Sequence, residues 1–216
     1  MEPFNPFLKS DLRITEAGET EVGPTWNHCA TFFPYFRLYY VKSGEAKIFM
    51  HDEALELRPG SIYFIPAYSI TAAECKRAMA HCWVHFRLEM TTISYLTVFK
   101  PALSVKALPC DEELFRLIIN FAESNGGIRA PNALACVSLA KFLFSRFLPD
   151  EKISSDANRF IPVLEYIDQN ITNNITNADL SKIMRLNDTY FSNAFTKQFG
   201  ISPKQYVVGK KIGAAA

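Results

Sequence analysis

The sequence ADLSKIMRLNDTYFSNAFTKQFGISPKQY occupies residues 178–206 and decides how the C-terminal part of the chain folds. It predicts two short helices joined by a tight turn. Thr176 and Asp179 form a capping-box pattern that opens the first helix. Asn187 can cap a second helix over residues 188–199, which a glycine ends. This order is the layout of a helix-turn-helix.

The second of these helices has two chemically different faces. Its apolar residues recur at spacings of three and four and predict an inward stripe of Tyr190, Phe191, Ala194, Phe195 and Phe199. Its other face carries short hydrogen-bonding groups and one cation, which suit base edges and phosphates: Asp188, Thr189, Ser192, Asn193, Thr196 and Lys197. From periodicity alone, an ordinary helical hairpin with a solvated polar face remains the alternative.

The whole string, with Ser202-Pro203 leading to Tyr206, resembles the DNA-binding domain of the AraC/XylS family of bacterial transcription activators. The resemblance implies base contacts from Thr189, Ser192 and Asn193. It implies contacts to phosphates or flanking bases from Thr196 and Lys197. We therefore expect DNA as a partner.

The family's DNA-binding domain has two helix-turn-helix modules joined by a long helix. That joining helix would begin here near Gln205, and the second module is not among the 216 residues. A single module lacks the gain in effective concentration that two tethered modules provide. We therefore expect weak or no specific DNA binding from these residues.

The charge distribution agrees with a local DNA-binding module. The chain has 23 basic and 22 acidic residues, a net charge of +1, so no global field indicates a nucleic-acid or membrane partner. Residues 158–216 hold seven Lys or Arg and four Asp or Glu, a net charge of +3. Hydrophobic residues make up 49% of the chain, which excludes wholesale disorder.

The cysteines and the N-terminal sequence predict a cytoplasmic protein. The five cysteines form no C-x-x-C pair, which is typical of reduced thiols. The first residues contain acids and prolines where a signal peptide needs a basic start and an apolar run. No run approaches ~18 apolar residues, so we expect no membrane span.

Up to about residue 105 the sequence is typical of β structure, with short apolar runs between turn signals, which predicts a sandwich or a small barrel. Residues 36–41 and 46–50 flank Ser43-Gly44 and predict a hairpin. Residues 36–66 resemble the cupin-like effector domain of the same family. The expected fold is α+β: a cupin-like β-barrel with a helical dimerisation segment over residues 1–150, followed by an all-α helix-turn-helix module over residues 158–216.

The string HCWVHFR at residues 81–87 points to a ligand site. On a strand His81, Trp83 and His85 point to one side, and an aromatic face beside polar atoms suits a sugar. The string resembles an arabinose-responsive member of the family, which implies that His81 and Trp83 contact the ligand. By the same resemblance the further candidates are Thr15, Arg37, Tyr68 and Trp26.

The predicted effector is thus a monosaccharide or a similar small polar molecule. The alternative is a tryptophan in the domain core with a satisfied histidine nearby.

A metal-dependent cupin enzyme is the main competing function, as an isomerase or a dioxygenase. Such enzymes place two histidines at positions i and i+2 of one strand. None of the four histidines, His28, His51, His81 and His85, forms that pair. His81 and His85 are four residues apart, about 13 Å on a strand, too far to share one ion. We expect no metal, no cofactor and no enzyme activity. A ligandless dimerisation scaffold is a third alternative.

Two helices are predicted over residues 112–123 and 134–148. The second carries an apolar stripe of Leu139, Phe142, Leu143 and Phe147. The pair resembles the dimerisation element of the family, which implies a homodimer with two DNA-binding heads. The alternative is that the stripe packs only on its own domain.

Overall fold

The computed structural model describes residues 11–26, 35–50, 53–88, 96, 101–122, 130–149, 159–199 and 202–215. The chain divides into two compact units. The first, here called the α+β unit, comprises Leu12–Leu88 and Pro101–Pro149. The second, the helical unit, contains the described residues from 159 onward.

In the described residues of the α+β unit, eight strands form two antiparallel sheets. They are β1 (Leu12–Val22), β2 (Phe36–Gly44), β3 (Ala46–Met50), β4 (Ala54–Leu57), β5 (Ser61–Ile65), β6 (Ile70–Glu74), β7 (Met79–Leu88) and β8 (Ser104–Lys106). One sheet has five strands in the order β1-β7-β2-β5-β8, and the other has three in the order β4-β3-β6. The two sheets face each other across a shared apolar core.

The predicted hairpin between residues 36–41 and 46–50 is wrong. β2 pairs with β5 and β7, whereas β3 pairs with β4 and β6, so the two arms belong to different sheets. Gly44 has a φ of 74°, and a Cβ there would lie 2.0 Å from the carbonyl oxygen of Ala78. Only glycine fits this crossing point, because a side chain would be both strained and in collision.

The predicted β-barrel is also corrected. Within the part of the chain that the structure describes, no strand pairing joins the five-stranded sheet to the three-stranded sheet. The arrangement is a two-sheet sandwich in which the chain changes sheets at Gly44. The α+β class and the strand-rich N-terminal region are as expected.

The outer face of the five-stranded sheet is covered by two helices, α1 (Asp111–Ala122) and α2 (Ala130–Ser145). The ring of Phe64 lies 5.2 Å from that of Phe144 and 5.8 Å from that of Phe147, measured between centroids. Phe86 lies 5.8 Å from Phe144. The sheet is therefore buried on both faces, which explains why β2 begins with four buried residues in succession.

This packing uses part of the predicted dimerisation stripe. Leu143 and Phe147 are buried within the chain, whereas Phe142 remains 47% exposed. The alternative of packing on the domain itself thus holds for two members of the stripe. A homodimer through the remaining exposed positions stays a prediction.

A buried ion pair joins the first residue of α1 to the residue that follows α2. The Asp111 carboxylate has no solvent exposure, and Nη1 of Arg146 donates to both of its oxygens at 2.6 and 2.7 Å. The same carboxylate accepts the backbone N–H of Leu108 at 2.7 Å. Arg146 also donates to the carbonyl of Lys106 at the end of β8. One carboxylate therefore joins both helices to the sheet.

The helical unit contains α3 (Ile161–Gln169), α4 (Asn177–Ile183), α5 (Asp188–Phe199) and α6 (Pro203–Ala215). The predicted capping box is confirmed, since Thr176 accepts from the N–H of Asp179 and the Asp179 carboxylate accepts from the N–H of Thr176. The predicted cap of α5 is confirmed as well, because Asn187 Oδ1 accepts the N–H of Tyr190 at 2.8 Å.

The core of the helical unit consists of side chains from all four helices and the residue before α3. Its buried members are Phe160, Val163, Leu164, Ile167, Leu180, Phe191, Phe195, Tyr206 and Val207. A second buried ion pair joins Lys210 of α6 to Asp168 of α3 at 3.2 Å. The amphipathic helices thus close around one apolar centre.

None of the described helices has both the length and the apolar character that crossing a lipid bilayer requires.

We expect Asp111→Asn to destabilise the α+β unit by roughly 2–3 kcal/mol, because Arg146 would keep its charge in a buried site without a counter-ion. Urea unfolding followed by tryptophan fluorescence measures this, since the two tryptophans, Trp26 and Trp83, both lie in the strand region. The matched control is Glu113→Gln, which breaks an exposed pair with Arg116 and should leave the urea midpoint unchanged. Equal midpoints for the two variants would contradict the assigned role of Asp111.

Candidate functional site

The first candidate site is the exposed face of α5. Phe191 and Phe195 have no solvent exposure and hold the helix on the core of its unit. Four of the five predicted DNA contacts are exposed on its other side: Thr189, Asn193, Thr196 and Lys197. The fifth, Ser192, is partly buried. One face of α5 therefore packs on the core, and the opposite face is exposed to solvent, where a partner could bind.

Tyr190 is wrongly placed by the helical periodicity. The sequence assigned it to the inward stripe, but its side chain is 54% exposed. It lies in the first turn of α5, next to the capping Asn187. Adjacent side chains on a helix point about 100° apart, and here Phe191 is the one that is fully buried. An exposed aromatic therefore joins the polar face.

The acidic groups near this face are held by other contacts within the unit. Asp188 accepts a hydrogen bond from Ser181 Oγ at 2.5 Å, and Asp179 is engaged in the capping box. Lys182, Arg185 and Lys197 are exposed around the same turn and helix. The side of the unit that carries α5 therefore presents three cations to solvent, beside the exposed carboxylate of Asp188.

The second candidate site lies on the inner face of the five-stranded sheet. Register places Trp83 of β7 opposite Gly18 of β1 and Tyr39 of β2. Tyr39 and Trp83 belong to the core between the two sheets, so residues in register with them share this face. On the same side β7 contributes His81 and His85, and β2 contributes Arg37. We call this set the inner-face cluster.

Three rings of the inner-face cluster form a stack. The imidazole of His85 lies between Tyr35 and Trp83, with centroid distances of 4.5 Å to each. The indole N–H of Trp83 donates to Thr20 Oγ1 at 2.9 Å. A Cβ on Gly18 would lie 2.7 Å from the Trp83 ring, so glycine is what lets the indole lie close to β1. The tryptophan is thus fixed on β1 by packing and by a hydrogen bond.

Burial keeps both histidines of the cluster neutral. Removal from water lowers the pKa of His81 to about 4, against the smaller opposing effect of a hydrogen bond that the imidazole donates to the backbone of Thr20. Burial, and then the charge of Arg37, lowers the pKa of His85 to about 3. Burial also raises the pKa of Tyr39 to about 12. At neutral pH these side chains therefore offer uncharged donors and acceptors.

Several nitrogens of the cluster have no hydrogen-bond partner among the described residues. They are Nδ1 of His81 and both ring nitrogens of His85. His81 is only 3% exposed. Nδ1 of His85 lies 3.7 Å from a Glu16 oxygen, which is beyond hydrogen-bonding distance. Buried polar atoms without partners are rare in folded proteins and need an explanation, such as a bound ligand or water.

The structure brings together most of the predicted ligand-binding residues. His81, Trp83 and Arg37 share the inner face, and Arg37 is 3% exposed with its guanidinium 4.7 Å from the ring centre of Tyr35. Trp26 packs on the same core, with its ring 6.2 Å from that of His81. The predictions of ligand contact themselves stay untested.

Two predicted ligand-binding residues lie elsewhere. Thr15 is exposed at the register shift between Ile14 and Glu16, and Thr20 takes the place beside Trp83. Tyr68 is in the turn between β5 and β6, at a φ of 59°. Sequence reasoning missed Thr20, Tyr35 and Tyr39, because strand register rather than sequence distance brings them to His81 and Trp83.

In the described ranges no three histidine, cysteine, aspartate or glutamate side chains cluster so as to hold a metal ion.

Comparison with known proteins gives only distant similarities. No known family's sequence profile matches the chain, and no curated protein matches it significantly. An apo form of ToxT from Vibrio cholerae is similar with a TM-score of 0.38 and 9% identity, over 92% of this chain and 96% of that one. ToxT with a bound unsaturated fatty acid gives a TM-score of 0.37 and 10% identity, over 92% and 94% of the chains.

A cupin superfamily protein from Desulfitobacterium hafniense is similar over 35% of this chain and 75% of its own, with a TM-score of 0.30 and 18% identity. Scores this low do not place the chain in a family. The site must therefore be interpreted from its own geometry.

We expect the α+β unit to lose stability as the pH falls from 6.5 toward 4. His81 and His85 have folded-state pKa values of about 4 and about 3, below the ordinary 6.5, so the unfolded chain takes up protons first. Their contribution is complete above pH 6.5 and is lost at lower pH. Urea unfolding at pH 7 and pH 5 should differ by roughly 4 kcal/mol, with nearly equal contributions from the two histidines.

The control is a double variant, His81→Gln with His85→Gln, compared with the wild-type chain over the same pH range. Carboxylates remain ionised down to pH 5, so the variant should have a flatter profile. An equally steep profile would show that other groups cause the pH dependence.

Proposed function

We propose that this protein is a transcription regulator that binds DNA through its helical unit and a small effector through its α+β unit. The single observation that carries the proposal is the division of α5 between two faces. Phe191 and Phe195 are fully buried, while Thr189, Asn193, Thr196 and Lys197 are exposed. The proposal includes no catalytic step.

The DNA-binding part is supported by the order of α4, a four-residue turn and a capped α5. In helix-turn-helix proteins the second helix enters the major groove, and its N-terminal residues meet base edges. Thr189, Ser192 and Asn193 lie in the first two turns of α5 and would contact bases. Thr196 and Lys197 lie farther along and would contact phosphates or flanking bases.

The effector part is supported by the inner-face cluster. Neutral imidazoles each carry one N–H donor and one acceptor nitrogen, and those of His81 and His85 are only partly used. Such groups pair well with hydroxyls, which also donate and accept. We therefore propose an uncharged, hydroxyl-rich molecule such as a monosaccharide, contacted by His81 and stacked near Trp83. An effector changes regulation only if it binds one conformation more tightly than another.

A ligandless scaffold remains the second candidate, because one observation favours it. The indole N–H of Trp83 already donates to Thr20, and its ring stacks on His85. An interior filled by its own side chains would leave no room for an effector. A thermal-shift assay with sugars separates the two candidates.

We expect the full chain to bind a fluorescein-labelled, mixed-sequence 30-base-pair duplex with a dissociation constant in the micromolar range at 50 mM salt, as is typical of sequence-independent binding. Lys197→Ala should weaken binding and reduce the slope of log affinity against log salt by about 0.9, the value for one phosphate contact. Fluorescence anisotropy measures both quantities.

The matched control is Lys47→Ala, which removes the same charge from β3 in the other unit. It should leave affinity and salt slope unchanged. Failure of the wild-type chain to bind at 50 mM salt would contradict the proposal, as would equal losses in the two variants.

For the effector, we expect one or more pentoses or hexoses to raise the melting temperature in a thermal-shift assay, because a ligand of the native state stabilises it by mass action. At a concentration 100 times the dissociation constant the gain is about 2.7 kcal/mol. His81→Gln and Trp83→Phe should reduce the shift at equal ligand concentration, while Lys76→Ala, on an exposed position, should not.

A long-chain fatty acid and an aromatic acid serve as comparison ligands in the same assay. A shift with these and none with sugars would refute the monosaccharide assignment. No shift with any ligand would favour the ligandless scaffold.

A further inference from the structure

The turn between α4 and α5 has an unusual residue at its centre. The N–H of Leu186 donates to the carbonyl of Ser181 at 3.0 Å, and the N–H of Arg185 donates to that of Lys182 at 3.1 Å. These two bonds form a Schellman motif, whose central position requires a left-handed backbone and is usually glycine. Here the position is Arg185, with a φ of 54°.

A large side chain in this conformation carries a steric cost that glycine avoids. Arg185 is exposed, and among the described residues its guanidinium has no ion pair or hydrogen bond. Backbone strain retained without an internal polar contact points to a role for the side chain outside the folded unit.

The position of Arg185 indicates what that role is. It lies two residues before Asn187, the cap of α5, and therefore beside the end of the helix that would enter the groove. Lys182 is exposed in the last turn of α4, and the carboxylate of the nearby Asp188 accepts a hydrogen bond from Ser181. If α5 enters a major groove, an exposed cation at this place would lie near the phosphates that border the groove.

We propose that Arg185 is a phosphate contact that clamps the start of α5 against the DNA backbone, and that the strain in the turn is retained for this contact. The inference rests on the proposed DNA-binding function. A guanidinium suits the task because its planar donors can bind two phosphate oxygens at once. The partner is duplex DNA, and the contact is independent of base sequence.

The test combines stability and binding in one set of full-length variants. Arg185→Gly and Arg185→Asn both accept the left-handed backbone and remove the charge. We expect their melting temperatures, followed by far-UV circular dichroism, to equal or exceed that of the wild type. We expect their affinity for the mixed-sequence duplex at 50 mM salt to fall roughly fivefold, with a salt slope lower by about 0.9.

Arg185→Lys keeps both the charge and the strain, so it should retain the salt slope and most of the affinity. Lys204→Ala removes an exposed charge from α6 and should leave binding unchanged. These variants separate a specific contact from a general loss of positive charge.

The outcomes also separate this inference from the proposed function. If Lys197→Ala weakens binding while both Arg185 variants bind like the wild type, the clamp is refuted and the DNA-binding function stands. If the wild-type chain does not bind the duplex, the proposed function fails, and the inference fails with it. If the two Arg185 variants melt well below the wild type, the side chain stabilises the fold and the strain argument is refuted.

Discussion

The five-stranded sheet is buried on both faces, and the rest of the α+β unit depends on that burial. One face meets the three-stranded sheet and the other meets α1 and α2. Burial of apolar area is the main favourable term in folding. Strands in the middle of the sheet must present apolar groups on both sides. A polar residue there therefore reduces the stability of the fold unless it is hydrogen-bonded or binds a ligand. Arg37, His81 and His85 are such residues, and they lie together.

The same constraint accounts for the electrostatics of the inner-face cluster. Removal from water is the largest cause of the lowered histidine pKa values, and the charge of Arg37 adds to it for His85. On the outer face, the fully buried carboxylate of Asp111 joins the helices to the sheet. It is satisfied by Arg146 and by the backbone of Leu108. Asp111 is thus a structural polar group whose carboxylate is hydrogen-bonded, whereas His81 and His85 have ring nitrogens without hydrogen-bond partners.

The helical unit also depends on the burial of an apolar core. Its four short helices could not remain folded alone, since isolated helices of this length are marginal in water. They are held by a core in which Phe195 contacts Phe160, Phe191, Phe199 and Tyr206 through ring–ring packing. The inner face of α5 supplies this packing, and its outer face is exposed at Thr189, Asn193, Thr196 and Lys197. At the preceding turn a left-handed arginine stands where backbone geometry alone would favour glycine.

The sequence by itself determined the features that depend on near neighbours in the chain. The capping box at Thr176, the Asn187 cap, the bounds of α5 and the strand at residues 81–87 were predictable because each involves contacts within a few residues. Only the tertiary structure decided which strands pair, that β2 and β3 separate into different sheets, and that Thr20 rather than Thr15 lies beside Trp83. It also decided that Tyr190 faces solvent while the adjacent Phe191 is fully buried. Local hydrogen bonds are set by residues close in sequence, whereas register and burial result from competition among distant segments for the same core.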